Sequence, residues 1–315
     1  MVEILTIEAV RAGGKRALSR ALSAIEAHDG SAETIRLLDE AAANARGHVL
    51  GLTGPPGVGK STLTDSLIRH WRGIGETVGV VAVDPSSQIT QGALLGDRTR
   101  LKTDPEDGGV FVRSMAARDR LGGLSDHALG AVVLMRAIHD HVIVESVGIG
   151  QSEADIATIA DTVLLCIQPG SGDSLQFMKA GVMELPDIVA VTKADYVDAA
   201  RRAAADVEGA LTLARADDGW QVPVVLVSAA TGAGLEDLLA EVAAHACWMG
   251  EAGRLAERRA AQARQWIGQA IRSRYGTEGL KTVAADLPAS GDATPFSAIA
   301  QWSREARLRL ARPAE

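Results

Sequence analysis

An α/β architecture, built on a mainly parallel sheet with helices on both faces and helical extensions at each end, is predicted by two features of the sequence. Between His48 and about Cys247, short aliphatic runs alternate with helical stretches; runs that are apolar at consecutive positions belong to strands buried on both faces. Polar and glycine-containing strings follow several of these runs, at the carboxyl ends of the expected strands, where ligands of open parallel sheets bind.

The strands are expected at Val49–Thr53, Thr77–Val83, Val110–Met115, His141–Val147, Thr162–Ile167, Asp187–Val191 and Pro223–Val227. Residues 1–47 place Leu18, Leu22 and Ile25 at helical spacing and read as helices ahead of a 48–249 core domain. A charged stretch at 250–275, with Leu255, Trp266, Ile267 and Ile271 as its apolar positions, reads as a C-terminal helix. It either packs on its own domain or serves as a dimerisation arm. The tail, 276–315, is rich in Ala, Ser, Pro and Gly with weak periodicity as far as Ala300, and is expected to be partly mobile.

At 315 residues and 47% hydrophobic content the chain can bury one substantial core. A formal net charge of −8 without a Lys/Arg run argues against nucleic acid or anionic lipid as the main partner. Cys166 and Cys247 form neither a CxxC pair nor a disulfide framework, and no run is long enough to span a bilayer. A soluble, unprocessed, cytoplasmic protein is the expectation.

The string Gly54-Pro55-Pro56-Gly57-Val58-Gly59-Lys60-Ser61, followed by Thr62, fits GxxxxGKS/T between a strand and a helix. Small residues turn the backbone so that successive N–H groups face phosphate oxygens, with the positive end of the helix behind them. Lys60 would contact the β and γ phosphates and the Ser61 hydroxyl would ligate Mg²⁺. Such a loop also needs carboxylates at neighbouring strand ends, and Asp84 and Glu145 close two of the aliphatic runs. Each also suits a helix cap or a solvated loop. Asp97, in Gly96-Asp97-Arg98-Thr99-Arg100, is a third metal candidate or a turn cap. Glu145-Ser146-Val147-Gly148 resembles the DxxG element of GTPases with Glu for Asp, making Gly148 a switch hinge or an ordinary turn glycine.

Thr192-Lys193-Ala194-Asp195 follows a strand and resembles the NKxD guanine-reading loop, with Thr in place of the usual Asn. A carboxylate at Asp195 accepts hydrogen bonds from N1–H and the exocyclic amine of guanine, a pair adenine does not offer. Lys193 would lay its aliphatic stem along the base. Ser228-Ala229, after the last strand, resembles the second base-contacting loop, where the Ala229 N–H would meet the guanine carbonyl. Alone, these dipeptides and turns are equally cap residues; their order supports guanine.

Val83-Asp84-Pro85-Ser86-Ser87, Leu95-Gly96-Asp97-Arg98-Thr99-Arg100, Leu121-Gly122-Gly123 and Val144–Glu153 resemble the MeaB/ArgK type of GTPase, which accompanies cobalamin-dependent acyl-CoA mutases; the likeness runs from about Gly51 to Gly234. The resemblance implies a homodimeric G-protein chaperone that binds a mutase such as methylmalonyl-CoA mutase, gates adenosylcobalamin delivery and protects the enzyme, without itself holding cobalamin. It implies Mg²⁺ and GTP/GDP as ligands, Ser61, Asp84, Asp97 and Glu145 as the metal neighbourhood, and Lys60, Glu145 and Gly148 as catalytic positions. Gln151 falls in a switch segment, and Asp173 and Lys179, in and after Pro169–Gln176, fall in a further switch linking nucleotide to mutase; bottom-up, that stretch is a Gly-rich loop entering a helix. Ile149 follows Gly148, where many GTPases carry a water-orienting Gln. Hydrolysis is therefore expected to be slow alone and raised when a partner docks, with Arg100 or Lys179 supplying charge. Ser146 stands where Thr is more usual, and Ser125-Asp126-His127-Ala128 lacks the usual basic opening. Rival readings are a small-molecule kinase of the transport-kinase type and a metal-insertion accessory GTPase, the latter disfavoured by seven dispersed histidines.

Overall fold

The computed structural model describes residues 6–85, 104, 106–117, 125–146, 152–170, 182–214, 219–287 and 294–311. Seven parallel strands form one sheet in the order β3-β2-β4-β1-β5-β6-β7. They are β1 (His48–Thr53), β2 (Val78–Pro85), β3 (Val110–Ala117), β4 (His141–Glu145), β5 (Thr162–Ile167), β6 (Ile188–Val191) and β7 (Val224–Leu226), each within two residues of its apolar run at either end. The helices are α1 (Ile7–Ala27), α2 (Ala32–Ala43), α3 (Lys60–Gly73), α4 (Asp126–Ile138), α5 (Ser152–Ala157), α6 (Val197–Ala214), α7 (Leu235–Gly250), α8 (Arg254–Val283) and α9 (Pro295–Leu310).

Successive strand residues feed opposite faces, which is why the strands read as unbroken apolar runs. Val49, Val81, Val142, Val144 and Val163 point into a layer shared with α1, α2, α4 and Trp266 of α8. Leu50, Leu52, Val80, Ile143 and Leu164 point the other way, against Leu63 and Leu67 of α3 and Leu238 and Val242 of α7. The N-terminal helices thus complete one face of the sheet, Ser31 capping α2 by accepting from the Thr34 N–H.

The base of the sheet, opposite the phosphate loop, is tied to α8. Asp161 and Asp187 stand just ahead of β5 and β6, and each carboxylate accepts an amide near the start of a neighbouring strand: Val49 N–H at 2.9 Å and Val163 N–H at 2.8 Å. Arg259 and Arg258 then close on these carboxylates with paired bonds of 2.7 and 2.9 Å, and of 2.9 and 3.1 Å. Gln262 and Trp266 donate to the carbonyls of Ala160 and Thr158. The first half of α8 is therefore packed on its own domain.

The helical path expected over 250–275 breaks at Gly276, whose φ of +69° and ψ of −172° are non-helical, and a second helical segment runs on to Val283; only glycine adopts that conformation without strain. Within the tail expected to be partly mobile, α9 opens at Pro295, and Asp39 of α2 accepts from the N–H groups of Phe296 (2.9 Å) and Ser297 (3.0 Å). Its fully buried positions, Pro295, Ala298, Ser303 and Ala306, are small, and its larger apolar side chains, Phe296, Ile299 and Trp302, pack partly buried against the clusters shared with α8. Among the described residues, no helix is long and apolar enough to cross a membrane.

Candidate nucleotide site

The loop between β1 and α3 sits at the centre of the sheet, flanked by the carboxyl ends of β4 and β5. Gly54, Gly57 and Gly59 all take positive φ along its path. Gly54 has φ +135°, and a Cβ there would overlap the carbonyl of Cys166 on β5. Gly59, at φ +102°, is the N-cap of α3 and leaves the first amides of the helix without a side-chain cap, open to an anion. Cys166 lies buried below; burial pushes its thiol up to about 12, so it stays a protonated packing group.

Lys60, only 7% exposed, is folded back on its own loop. Its ammonium donates to the carbonyl oxygens of Gly54 at 2.7 Å and Pro55 at 3.1 Å. Phosphate oxygens can replace these acceptors at little cost, since the charge is already desolvated and positioned. The neighbouring Ser61 donates its hydroxyl to Glu145 Oε1 at 2.7 Å, and Thr64, one turn along α3, donates to Glu145 Oε2 at 3.3 Å. β4 places Glu145 beside Leu52 of β1 and Ala82 of β2, so the backbone of Asp84, two positions on from Ala82, ends at the same edge. Hydroxyl and carboxylate oxygens are the hard donors that Mg²⁺ prefers, so the residues present fit that ion. Ser146 follows, its hydroxyl donating to Thr53 Oγ1 at 3.1 Å and its N–H to Leu52 O at 3.0 Å.

A second cluster lies across the loop. Thr192, at the end of β6 and buried, has its hydroxyl 2.7 Å from Val58 O and 2.8 Å from Ile167 O. Lys193 has φ +53° and its ammonium reaches Gly57 O at 3.0 Å and Gln168 Oε1 at 2.5 Å. Ser228, after β7, donates to Asp195 Oδ1 at 2.8 Å, and the Ala194 N–H donates to Val227 O, so the base-loop candidates and Ser228-Ala229 form one unit. Phosphate-loop residues Gly54, Gly57, Val58, Gly59, Lys60, Ser61 and Thr62 are thereby brought against Thr192, Lys193 and, from the far side, Glu145. Asp97, Arg100, Gly148, Ile149, Gln151, Asp173 and Lys179 lie outside the described residues, as does the side chain of Asp84.

Sequence reasoning missed two residues of this arrangement. Gln168 and Thr64 belong to no motif string; the signal for Thr64 was its place one helical turn past Ser61, and for Gln168 its position as the first polar residue after β5.

A seven-stranded parallel sheet with a glycine-rich loop between its central strand and a helix defines a P-loop nucleotide-binding protein. A family model described as "Methylmalonyl Co-A mutase-associated GTPase MeaB" matches residues 18–281, and the chain belongs to that family of GTPases. It is 43% identical over 263 residues to a protein of Pyrococcus horikoshii named as a GTPase, covering 80% of each chain. It is 35% identical over 226 residues to the mouse "Methylmalonic aciduria type A homolog, mitochondrial", covering 70% of this chain and 54% of that one. A solved structure titled as the LAO/AO transport system kinase superposes with a TM-score of 0.68 at 26% identity over 96% of both chains.

Proposed function

We propose that the protein is a Mg²⁺-dependent GTPase acting as a G-protein chaperone for a cobalamin-dependent acyl-CoA mutase, gating adenosylcobalamin loading and protecting the loaded enzyme. The observation that carries the reading is the Ser61–Glu145 bond of 2.7 Å, which assembles a hard-oxygen pair at the head of the P-loop helix in a chain of the MeaB family.

In this reading, Lys60 exchanges the carbonyls of Gly54 and Pro55 for the β and γ phosphate oxygens, while the loop amides and the first turn of α3 hold the remaining negative charge. Ser61, Glu145 and Asp84 would hold Mg²⁺, with Asp97 reaching it through water; when bound, the ion neutralises charge shared by the two phosphates. Water attacks the γ-phosphate in line, and GDP leaves on its β oxygen. Asp195 accepts from guanine N1–H and the exocyclic amine, its orientation set by Ser228; the Ala229 N–H meets the guanine carbonyl, and the stem of Lys193 lies along the ring. With Ile149 in place of an amide after Gly148, turnover is slow alone and rises when the mutase docks, with Gly148, Gln151, Asp173 and Lys179 as the switch positions and Arg100 or Lys179 supplying charge. A homodimer in the cytoplasm is the form expected to meet the mutase.

Capture of purified cobalamin-dependent mutases on the immobilised protein, in GDP and in a non-hydrolysable GTP analogue, tests this reading. Retention of one mutase that changes with the nucleotide supports it, and failure with every one overturns the chaperone role. A second reading, transfer of the γ-phosphate to a small acceptor, draws on the kinase title of the related structure; labelled γ-phosphate recovered in an organic product, rather than as free phosphate, would favour it.

A further inference from the structure

Lys193 is held at both ends. Its backbone occupies the left-handed region at φ +53°, a conformation that is unfavourable for a residue carrying a side chain and persists only where its surroundings fix it. The turn it makes is closed by the Tyr196 N–H donating to its carbonyl at 3.0 Å and the Ala194 N–H donating to Val227 O at 3.2 Å. At the other end, the ammonium meets two acceptors from different elements: Gly57 O of the phosphate loop at 3.0 Å and Gln168 Oε1, one residue past β5, at 2.5 Å.

The side chain itself is exposed. An exposed lysine stem samples many rotamers, and fixing it carries a large entropic cost. A single carbonyl at the rim competes poorly with water for such a group. Two acceptors set apart in the sequence and converging on one ammonium define a direction as well as a contact. Gln168 is placed to do this because β5 and β6 are adjacent, with Ile167 opposite Val191, so the residues just beyond each strand emerge side by side. The same strand ends carry the Thr192 hydroxyl, 2.8 Å from Ile167 O.

We infer that Gln168 is a positioning residue for the base site: its amide oxygen stretches Lys193 across the loop, so that the stem is in place before a purine nucleotide arrives. The ordering cost is then met on folding and not on binding. This rests on the guanine-site reading above, and it assigns to Gln168 an effect on nucleotide retention that acts through Lys193 alone.

The test uses the full chain and a fluorescent GDP analogue. Gln168→Met keeps the length of the side chain and removes the acceptor; GDP release is expected to accelerate about five- to tenfold, with the melting temperature unchanged. Gln168→Glu, which restores an acceptor and adds charge, is expected to release GDP no faster than the parent chain. In a Lys193→Met background, Gln168→Met is expected to add nothing further. Release at the parent rate in Gln168→Met, or an equal acceleration with and without Lys193, overturns the inference. Asp195→Asn in the otherwise unaltered chain separates the two levels: if it fails to shift preference from GDP to XDP, the guanine-site reading falls and this inference with it; if it shifts and Gln168→Met is silent, only this inference falls.

Discussion

The Thr192 hydroxyl lies 2.7 Å from the carbonyl oxygen of Val58, tying the loop after β6 to the phosphate loop. The sequence comparison with NKxD shows only the loss of an amide at this position. The structure shows that the hydroxyl reaches Val58 O and, at 2.8 Å, Ile167 O, and so supplies a link between base and phosphate loops.

Replacing Thr192 by Val, close in volume but without a donor, is expected to weaken GDP binding about five- to tenfold, the worth of roughly 1 kcal/mol for one buried hydrogen bond. Thr192→Ser is expected to bind as the parent does. Calorimetric titration with Mg²⁺ and GDP measures both, and equal affinities in Val and Ser variants would detach Thr192 from the site.

Glu145→Gln leaves a side chain of the same shape beside Ser61 and Thr64 but removes the charge needed opposite a divalent cation. GTP turnover is expected to drop at least about tenfold, and chelation of Mg²⁺ is expected to alter GDP release less than in the parent chain. If chelation acts equally on both, Glu145 is a structural partner of α3.

At the base of the sheet, Asp161 is 0% exposed on its side chain and bonded to Arg259. Burial pushes its carboxyl up, but the hydrogen bonds and charge of Arg259 outweigh this and hold it below the usual carboxylate range. A depressed carboxyl contributes stability that is present above its unfolded value near 3.8 and lost as pH falls through the folded one. Arg259→Met strands the carboxylate and is expected to cost about 3 kcal/mol, read as a lower denaturant midpoint at pH 7. Nucleotide affinity of the folded fraction should not change, because the clamp lies at the opposite end of the strands.

His139 is buried, and burial lowers it to about 4 despite its bond of 3.3 Å to Met135 O, while the unfolded group titrates near 6.5. The unfolded chain therefore binds more protons across that window, and stability falls as pH drops from 6.5 toward 4. Replacing His139 by Leu is expected to remove up to one proton from the uptake that accompanies unfolding. Denaturation curves at several pH values between those limits give this number directly, and parallel slopes in the two chains would assign the pH dependence elsewhere.

The fold was legible because strands buried on both faces, such as the run Thr162–Ile167, announce themselves without periodicity, and because Gly54–Ser61 fixes where the central strand ends. Less of the site could be read. Ser61 and Glu145 could be brought together from motif order, since a P-loop requires an acidic strand end nearby. Gln168 could not, because its meaning depends on the adjacency of β5 and β6 and on a lysine 25 residues away. The C-terminal helix α9 was obscured for a different reason: it is tied by Asp39 and fully buries only small residues such as Ala298 and Ala306, while Phe296, Ile299 and Trp302 make an apolar stripe of only about two turns.

Phosphate release from GTP, measured on the chain alone and with a stoichiometric cobalamin-dependent mutase, tests the central claim most directly. The account predicts release well below about 10 per second alone, the level of assisted small GTPases, and a clear rise when the mutase is added. Fast release without a partner, or a rate indifferent to every mutase offered, would contradict it.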